Sequence, residues 1–192
     1  MTEATSLEGS SPGDPAITGQ RRASIRLKQL SHSAVRIADM RKTRAFYEGL
    51  LGLPLVSSQV NDFDPGTNAE SNYIHCFFEI AGGSMIAFFQ FEDGYHGDMY
   101  PHNEDAFERH TAFRTDSIEY VEEIHERATA AGYDSFIVDH DWCYSVYITD
   151  PDKDVIEITF HRPSADAVLD QPKEAAEILE NWLANPTRSA RI

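Results

Sequence analysis

The five residues HSAVR at positions 32–36 recur 78 residues later as HTAFR at positions 110–114. Each copy is followed by an aspartate that can cap a helix, Asp39 in the first and Asp116 in the second, and then by apolar residues at helical spacing up to a glycine. Self-similarity at a fixed period indicates that one structural unit occurs twice. We therefore expect two modules that each begin with a strand and a helix.

Short runs of aromatic and β-branched residues follow each predicted helix and are typical of strands. These runs are Tyr73–Ile80 and Met85–Phe91 in the first module and Phe136–Val138, Tyr144–Ile148 and Val155–Phe160 in the second. The order predicts an α+β fold of two paired βαβββ modules, residues 29–91 and 108–161.

The flanking segments differ in composition from the modules. Residues 1–27 lack apolar periodicity and predict a flexible tail, and residues 28–162 form the paired-module domain. Between the modules, residues 92–107 predict a functional loop. Residues 163–192 predict a C-terminal helical extension, with an amphipathic helix over 165–184 that packs on the body or forms a dimer seam.

The charge balance limits the classes of partner. The 192 residues include 16 Lys and Arg against 32 Asp and Glu, which gives a formal net charge of −16 and argues against nucleic acid. No apolar run approaches the roughly 20 residues of a membrane helix, and the N-terminus has no secretory pattern, so we expect a cytoplasmic protein. Cys76 and Cys143 match no zinc or redox motif and are expected to be ordinary thiols.

Strand alternation predicts which side chains meet in the second module. The segment Asp150–Asp154 reads as a five-residue hairpin loop, which places Tyr147 directly opposite Glu157 on the neighbouring strand. On the preceding strand, His140 lies at the end of the row that includes Phe136 and can reach the same volume. Taken singly, Tyr147 is most often a core residue and Glu157 a solvated one.

The repeat adds two imidazoles to this carboxylate. His32 and His110 occupy equivalent positions, and a pseudo-twofold arrangement of the modules would bring both toward Glu157. Two histidines and one carboxylate with open coordination positions suit Fe(II) and related divalent ions. Arg36 and Arg114 share the parity of the histidines and either bind an anionic substrate or form ion pairs.

The segment LSHSAVRIADMRKTRAFYEGLLGLPLV, residues 30–56, with the paired modules resembles the vicinal oxygen chelate superfamily, which includes glyoxalase I, fosfomycin and bleomycin resistance proteins, methylmalonyl-CoA epimerase and type I extradiol dioxygenases. The segment VDHDWCYSVYITDPDKDVIE, residues 138–157, is similar to the extradiol dioxygenase signature. Matching positions are His140, Val146, Tyr147, Asp150, Pro151 and Glu157. Lys153 departs from the pattern, because the family usually has Gly or Pro there.

This resemblance implies a one-domain Fe(II)-dependent extradiol dioxygenase, with Mn(II) as a possible substitute metal, that cleaves a catechol with O2 in aromatic compound degradation. The resemblance also implies that the two modules form a cup-shaped mixed sheet around a metal site, and that the substrate is a catechol such as 2,3-dihydroxybiphenyl or an alkylcatechol. The paired modules and the C-terminal helix predict a homodimer or larger homo-oligomer. His32, His110 and Glu157 would hold the metal. His140 and Tyr147 would bind the catecholate oxygens, and His96, which precedes His110 by 14 residues, would be the acid–base residue.

Two other functions stay open at this stage. A metal-dependent lyase or isomerase of the glyoxalase or epimerase kind usually has a further oxygen ligand at the end of the first module, where Gln90 is available. A metal-free protein that sequesters an aromatic antibiotic is the other, although it would leave the two histidines and the glutamate without a role.

Overall fold

The computed structural model describes residues 29–64, 69–92, 109–165, 169 and 172–184. Residues 29–162 belong to one compact unit, and the C-terminal segment is assigned to another. The predicted tail, most of the predicted loop and His96 lie outside the described residues. Within the described part of the chain, no helix has the length and apolarity to cross a membrane.

The first module forms a four-stranded mixed sheet. Its strands lie in the order β1, β4, β3, β2, with β1 parallel to β4 and the other pairs antiparallel. A short helix α1, continued by one π-helical segment, connects β1 to β2. The elements are β1 His32–Arg36, α1 Met40–Arg44, the π-helix Ala45–Leu50, β2 Leu55–Asp64, β3 Ala69–Ile80 and β4 Ser84–Phe91.

The second module repeats this topology. Its order is β5, β8, β7, β6, with β5 parallel to β8. The elements are β5 Thr111–Thr115, α2 Ile118–Ala130, β6 Ser135–Asp139, β7 Cys143–Thr149 and β8 Val155–His161. The predicted α+β fold of two βαβββ modules is therefore confirmed.

Three local predictions need correction. Asp39 caps α1 by accepting a hydrogen bond from the Arg41 N–H, but α2 is capped by Ser117, whose hydroxyl accepts from the Tyr120 N–H, and not by Asp116. Strand β2 was not predicted, because it is an edge strand with polar residues and two register shifts. Strand β3 begins at Ala69 and not at the predicted Tyr73, while the C-terminal helix α3, Pro172–Ala184, lies within the predicted range 165–184.

One apolar core is shared by the two modules. Alternate residues of each sheet face this core, and the helices contribute Phe46 from the π-helix and Val121 and Ile124 from α2, all fully buried. Burying such a side chain contributes roughly 1.5–3 kcal/mol. The other face of each sheet is left for the polar residues discussed below.

The loop between β7 and β8 ties the second module to the first. The Asp152 carboxylate accepts hydrogen bonds from the Ala38 N–H (2.7 Å) and the Thr43 hydroxyl (3.3 Å), at the start of α1. The Tyr47 hydroxyl donates to Asp150 (2.9 Å), and both residues are buried. Burial raises the pKa of Asp150 to about 6, although the Tyr47 hydroxyl and two backbone N–H groups lower it.

In the same loop, Lys153 has a φ of 73°, in the left-handed region that favours glycine. A glycine, which the resembled signature often has at this position, would adopt this conformation without strain. We predict that Lys153→Gly raises the free energy of unfolding by about 0.5–1 kcal/mol, because it relieves the strain at the cost of some unfolded-state entropy. Urea denaturation measures the change.

The control for this prediction is Lys153→Ala, which removes the long side chain but keeps a Cβ atom at the same φ. Stabilisation by alanine as large as that by glycine would show that the side chain, and not the backbone conformation, is the source.

The raised pKa of Asp150 makes stability depend on pH. An acid whose folded pKa lies above its unfolded value stabilises the fold below the unfolded pKa, and this contribution is lost as the pH rises through about 6. We predict that the free energy of unfolding falls by about 1 kcal/mol more between pH 5 and pH 7 in the native protein than in Asp150→Asn. The free energy of unfolding is measured by chemical denaturation at each pH. An equal change between pH 5 and pH 7 in the native protein and in Asp150→Asn would contradict the raised pKa of Asp150.

Candidate metal centre

The second sheet has a polar face made of alternate residues of its central strands. The face comprises Ser145 and Tyr147 of β7 and Glu157 and Thr159 of β8, with His140, Cys143 and His110 at its margins. In the strand register, Tyr147 lies opposite Glu157 and Ser145 opposite Thr159, as the five-residue hairpin predicts. All four central residues are buried. A buried glutamate is uncommon unless other groups compensate its charge.

Glu157 is held by two neighbours from different strands. Its carboxylate is 6% exposed, and Oε2 lies 3.0 Å from Nε2 of His110. The hydroxyl of Tyr147 forms a second hydrogen bond with the carboxylate. His110 and Glu157 were both predicted as metal ligands, and the structure brings these two together.

Tyr147 remains a phenol at neutral pH. Burial, and then the charge and hydrogen bond of Glu157, raise the pKa of Tyr147 well above its ordinary value of 10.0. The hydroxyl also lies 3.0 Å from Nε2 of His140. Since the hydroxyl has one hydrogen and a carboxylate only accepts, Nε2 of His140 is the donor to the tyrosine oxygen. The result is a continuous row from His140 through Tyr147 and Glu157 to His110.

A braced turn positions His140 directly after β6. Its backbone N–H donates to the Cys143 carbonyl at 2.9 Å, which closes the turn into β7. Arg162, directly after β8, contacts both carboxylate oxygens of Asp139 at 2.5 and 2.9 Å and donates to the Asp141 carbonyl at 3.2 Å. Its guanidinium lowers the pKa of Asp139. The residues on both sides of His140 are therefore held by a side chain from the end of β8.

The predicted ligand His32 lies in the other sheet. Its described neighbours are Ser31, whose hydroxyl is 3.1 Å from Nδ1, and the rings of His75 and Phe77 at 6.4 and 5.5 Å. His32, His110 and Glu157 do not form a group with all ligand atoms within 4.8 Å among the described residues. The structure thus brings two of the three predicted ligands together and leaves the third apart.

The strands that hold the two histidines nevertheless share one cavity. This cavity of about 190 Å³ is lined from β1 and β4 by Ser33 and Met85 and from β5 by Thr111 and Ala112. The edge strands β1 and β5 are therefore neighbours within the compact unit. His32 begins β1, and His110 immediately precedes β5.

The first sheet presents aromatic side chains on its corresponding face. His75 stacks on Phe89 with ring centroids 3.7 Å apart and lies 4.1 Å from the Phe77 ring. Burial, followed by the nearby His32, lowers the pKa of His75, so that its imidazole is neutral at physiological pH. The sequence-based prediction does not group His75 with any other candidate site residue. The parity of β3 and β4 could have placed it with Phe77 and Phe89.

The register also identifies what the first module has in place of Glu157. Ala112 of β5 pairs with Glu157, and Ala34, the equivalent residue of β1, pairs with Ala87. The first module therefore has alanine where the second has the carboxylate. Gln90 does not supply a substitute, because its side-chain oxygen accepts a hydrogen bond from the Met40 N–H at 2.6 Å.

Cys143 joins the polar face in a way that sequence reasoning missed. Ligand atoms of His140, Cys143 and Glu157 all lie within 4.8 Å of one another. Cys143 is 1% exposed and its thiol is 3.7 Å from the Ser145 hydroxyl. The available signal is parity, since Cys143, Ser145 and Tyr147 alternate along β7.

The donor set fits a divalent transition metal. His110 and the buried Glu157 supply an imidazole and a carboxylate in contact, and a second imidazole from His32 would complete the set that suits Fe(II) or Mn(II). Of the two arginines, Arg36 lies 4.1 Å over the Phe91 ring and Arg114 lies 4.0 Å from Asp116. Of the two predicted roles for these arginines, Arg114 therefore has the ion pair.

Comparisons with known proteins identify the fold family. A glyoxylase/bleomycin resistance protein/dioxygenase domain from Frankia sp. EAN1pec is 16% identical, covers 71% of this chain and 99% of that one, and has a TM-score of 0.56. A mutant of FosX, the fosfomycin resistance protein of Listeria monocytogenes, solved with Mn(II) and 1S,2S-dihydroxypropylphosphonic acid, is 26% identical over 75% and 99% of the two chains, with a TM-score of 0.53.

No curated protein matches the chain significantly. The family model described as Glyoxalase/Bleomycin resistance protein/Dioxygenase superfamily matches residues 29–158, which include the first module and the second as far as Glu157 and Ile158. The chain therefore belongs to this superfamily, which is the vicinal oxygen chelate superfamily.

Proposed function

We propose that this protein is an Fe(II)-dependent extradiol dioxygenase that cleaves the ring of a catechol with O2. The observation that carries this proposal is the row in which His140 contacts Tyr147, Tyr147 contacts Glu157, and Glu157 contacts His110. A catecholate that chelates a metal needs hydrogen-bonding groups for its oxygens beside the metal ligands. In this row His140 and Tyr147 are such groups, and Glu157 and His110 are the adjacent proposed ligands.

In this proposal His32, His110 and Glu157 hold the metal. When bound, Fe(II) would supply the open coordination positions and the electron transfer that ring cleavage by O2 needs. Glu157 and His110 are already in contact, and the adjacency of β1 and β5 at the shared cavity supports the approach of His32. The protein would then contribute two imidazoles and one carboxylate.

His140 and Tyr147 would bind the substrate oxygens. Because the pKa of Tyr147 is raised, its hydroxyl keeps its proton and can donate to a catecholate oxygen. The imidazole of His140, fixed by the Arg162-braced turn, would bind the neighbouring oxygen. His96, which lies outside the described residues, remains the proposed residue that moves a proton to or from the substrate near neutral pH.

Aromatic side chains would hold the substrate ring. Phe136 stacks on Tyr147 with the ring centroids 5.2 Å apart and the planes inclined by 15°, and Trp142 lies 6.5 Å from His140. On the first sheet, His75 and Phe89 add a stacked pair near His32. Apolar walls with a few polar groups are typical of small-molecule sites.

The first module argues against the glyoxalase or epimerase alternative. That chemistry would use a further oxygen ligand from β4, but alanine occupies the position equivalent to Glu157, and the Gln90 oxygen is bound to the backbone of α1. An arrangement with three protein ligands is therefore favoured over one with four.

The direct test is anaerobic reconstitution with Fe(II), followed by admission of air with a panel of catechols that includes 2,3-dihydroxybiphenyl. We expect one O2 consumed for each ring cleaved, with a coloured ring-fission product. His110→Ala and Glu157→Ala should abolish both signals, because each removes a proposed ligand. Oxygen uptake and visible absorbance are the measurements.

His125→Ala is the matched control, because this histidine bonds to Ser135 through its ring and belongs to α2. It should retain full activity. Absence of oxygen uptake by protein with bound iron, across the whole panel, would overturn the dioxygenase proposal.

A second prediction concerns the phenol of Tyr147. We expect Tyr147→Phe to lower kcat by about 100-fold, the effect of removing one hydrogen-bond donor to developing negative charge, while iron content is unchanged. Steady-state kinetics and metal analysis measure the two quantities. A variant that loses iron instead would show that Tyr147 acts by holding Glu157 and not by binding substrate.

The likeness to FosX favours one second candidate. That protein was solved with Mn(II) and a phosphonate that carries two adjacent hydroxyls, and it is 26% identical to this chain. A small anionic substrate with vicinal oxygens would need a cation near the site, and Arg36 and Arg114 share the parity of the histidines. Incubation of the Mn(II)-loaded protein with fosfomycin, followed by phosphorus NMR, distinguishes this candidate from ring cleavage.

A further inference from the structure

We propose that His140, Cys143 and Glu157 form a second cation site that binds a thiophilic divalent ion such as Zn²⁺. The three residues come from the margin and centre of the polar face of a single sheet. Their ligand atoms lie within 4.8 Å of one another. All three residues belong to the second module. The set therefore differs from the predicted iron ligands, His32, His110 and Glu157, because it contains a thiol and does not include His32.

The spacing of the three groups is close to that of a metal site. Sulfur at about 2.3 Å and nitrogen or oxygen at about 2.0–2.2 Å from a tetrahedral ion are about 3.3–3.6 Å from each other. The observed ligand atoms are at most 4.8 Å apart, so movements of the side-chain ends by about 1 Å would bring them to these distances. The small residues Ser145 and Thr159, whose hydroxyls form a hydrogen bond of 2.9 Å, occupy the face between Cys143 and Glu157.

The ligand chemistry distinguishes this set from the proposed iron site. A thiolate favours Zn²⁺ and other soft ions, whereas imidazole and carboxylate alone suit Fe(II) and Mn(II). Binding converts the Cys143 thiol to a thiolate and releases its proton to solvent, so affinity should rise with pH. Glu157 is buried on the same face and His140 is held by the turn after β6, and a bound ion would replace the hydrogen bonds that both groups make with Tyr147.

Glu157 belongs to both sets, and this has a functional consequence that rests on the proposed ring cleavage. A Glu157 carboxylate drawn toward Cys143 would leave His110 without its carboxylate partner, so Zn²⁺ held by Cys143 would compete with Fe(II) for Glu157. The second site would then act as an inhibitory site for thiophilic metals.

The test is anaerobic titration of the full-length protein with Co(II), which reports sulfur ligation through a near-ultraviolet charge-transfer band. We expect the band in the native protein. We also expect it in His32→Ala, because His32 lies in the first module and the three proposed ligands lie in the second. Cys143→Ala should remove the band and weaken Zn²⁺ binding in competition titrations by about 100-fold or more. His140→Ala should weaken it similarly.

Cys76→Ala is the matched control, since Cys76 is the other buried cysteine and contacts Ser58 in the first sheet. It should keep the band, and circular dichroism checks the fold of every variant. A native protein without the band, or a band that survives in Cys143→Ala, would overturn the proposal. Ring cleavage by the iron-loaded protein is scored separately, so a band without oxygen uptake refutes only the dioxygenase, and uptake without a band refutes only this site.

Discussion

The hairpin between β7 and β8 is the constraint on which the site and the joining of the modules depend. Its five-residue loop fixes the register that places Tyr147 opposite Glu157. The same loop presents Asp150 to the Tyr47 hydroxyl and Asp152 to the start of α1, so that a buried polar contact crosses between modules. A one-residue slip would move every side chain of the strand to the opposite face and would separate these partners. Local turn geometry thus controls both chemistry and packing.

Duplication of the module provides two equivalent faces, and substitution has made them different. Ala34 and Ala87 in the first module are equivalent to Ala112 and Glu157 in the second. One face consequently has a buried carboxylate with hydrogen-bonding neighbours, while the other has stacked rings around His75. This division suits a ligand that is polar on one side and flat and apolar on the other, which is the character of a catechol.

Strand alternation and the repeat were enough to predict the fold and the contacts along the polar row. The pairing of Tyr147 with Glu157 follows from loop length alone. The contact of His110 with Glu157 depends on the pairing of β5 with β8, and the equivalence of the two histidines did not bring His32 to the same place. Strand parity could have placed Cys143 on the same face as Glu157, but not at its short distance from Glu157, which depends on the small side chains between them and on sheet twist. Strand β2 escaped prediction for a different reason, since an edge strand has little buried apolar surface to mark it.

The burial of Glu157 explains why its neighbours are His110 and Tyr147, the residues that metal and substrate binding would also use. A carboxylate removed from water destabilises the fold by several kcal/mol unless donors or cations compensate its charge. His110 and Tyr147 provide this compensation in the folded chain. A bound cation would provide it more strongly, because a full positive charge replaces two hydrogen bonds, and it would release the Tyr147 hydroxyl for another acceptor. The Tyr147 hydroxyl, which helps to stabilise the buried carboxylate, is therefore the group that metal binding would free for substrate.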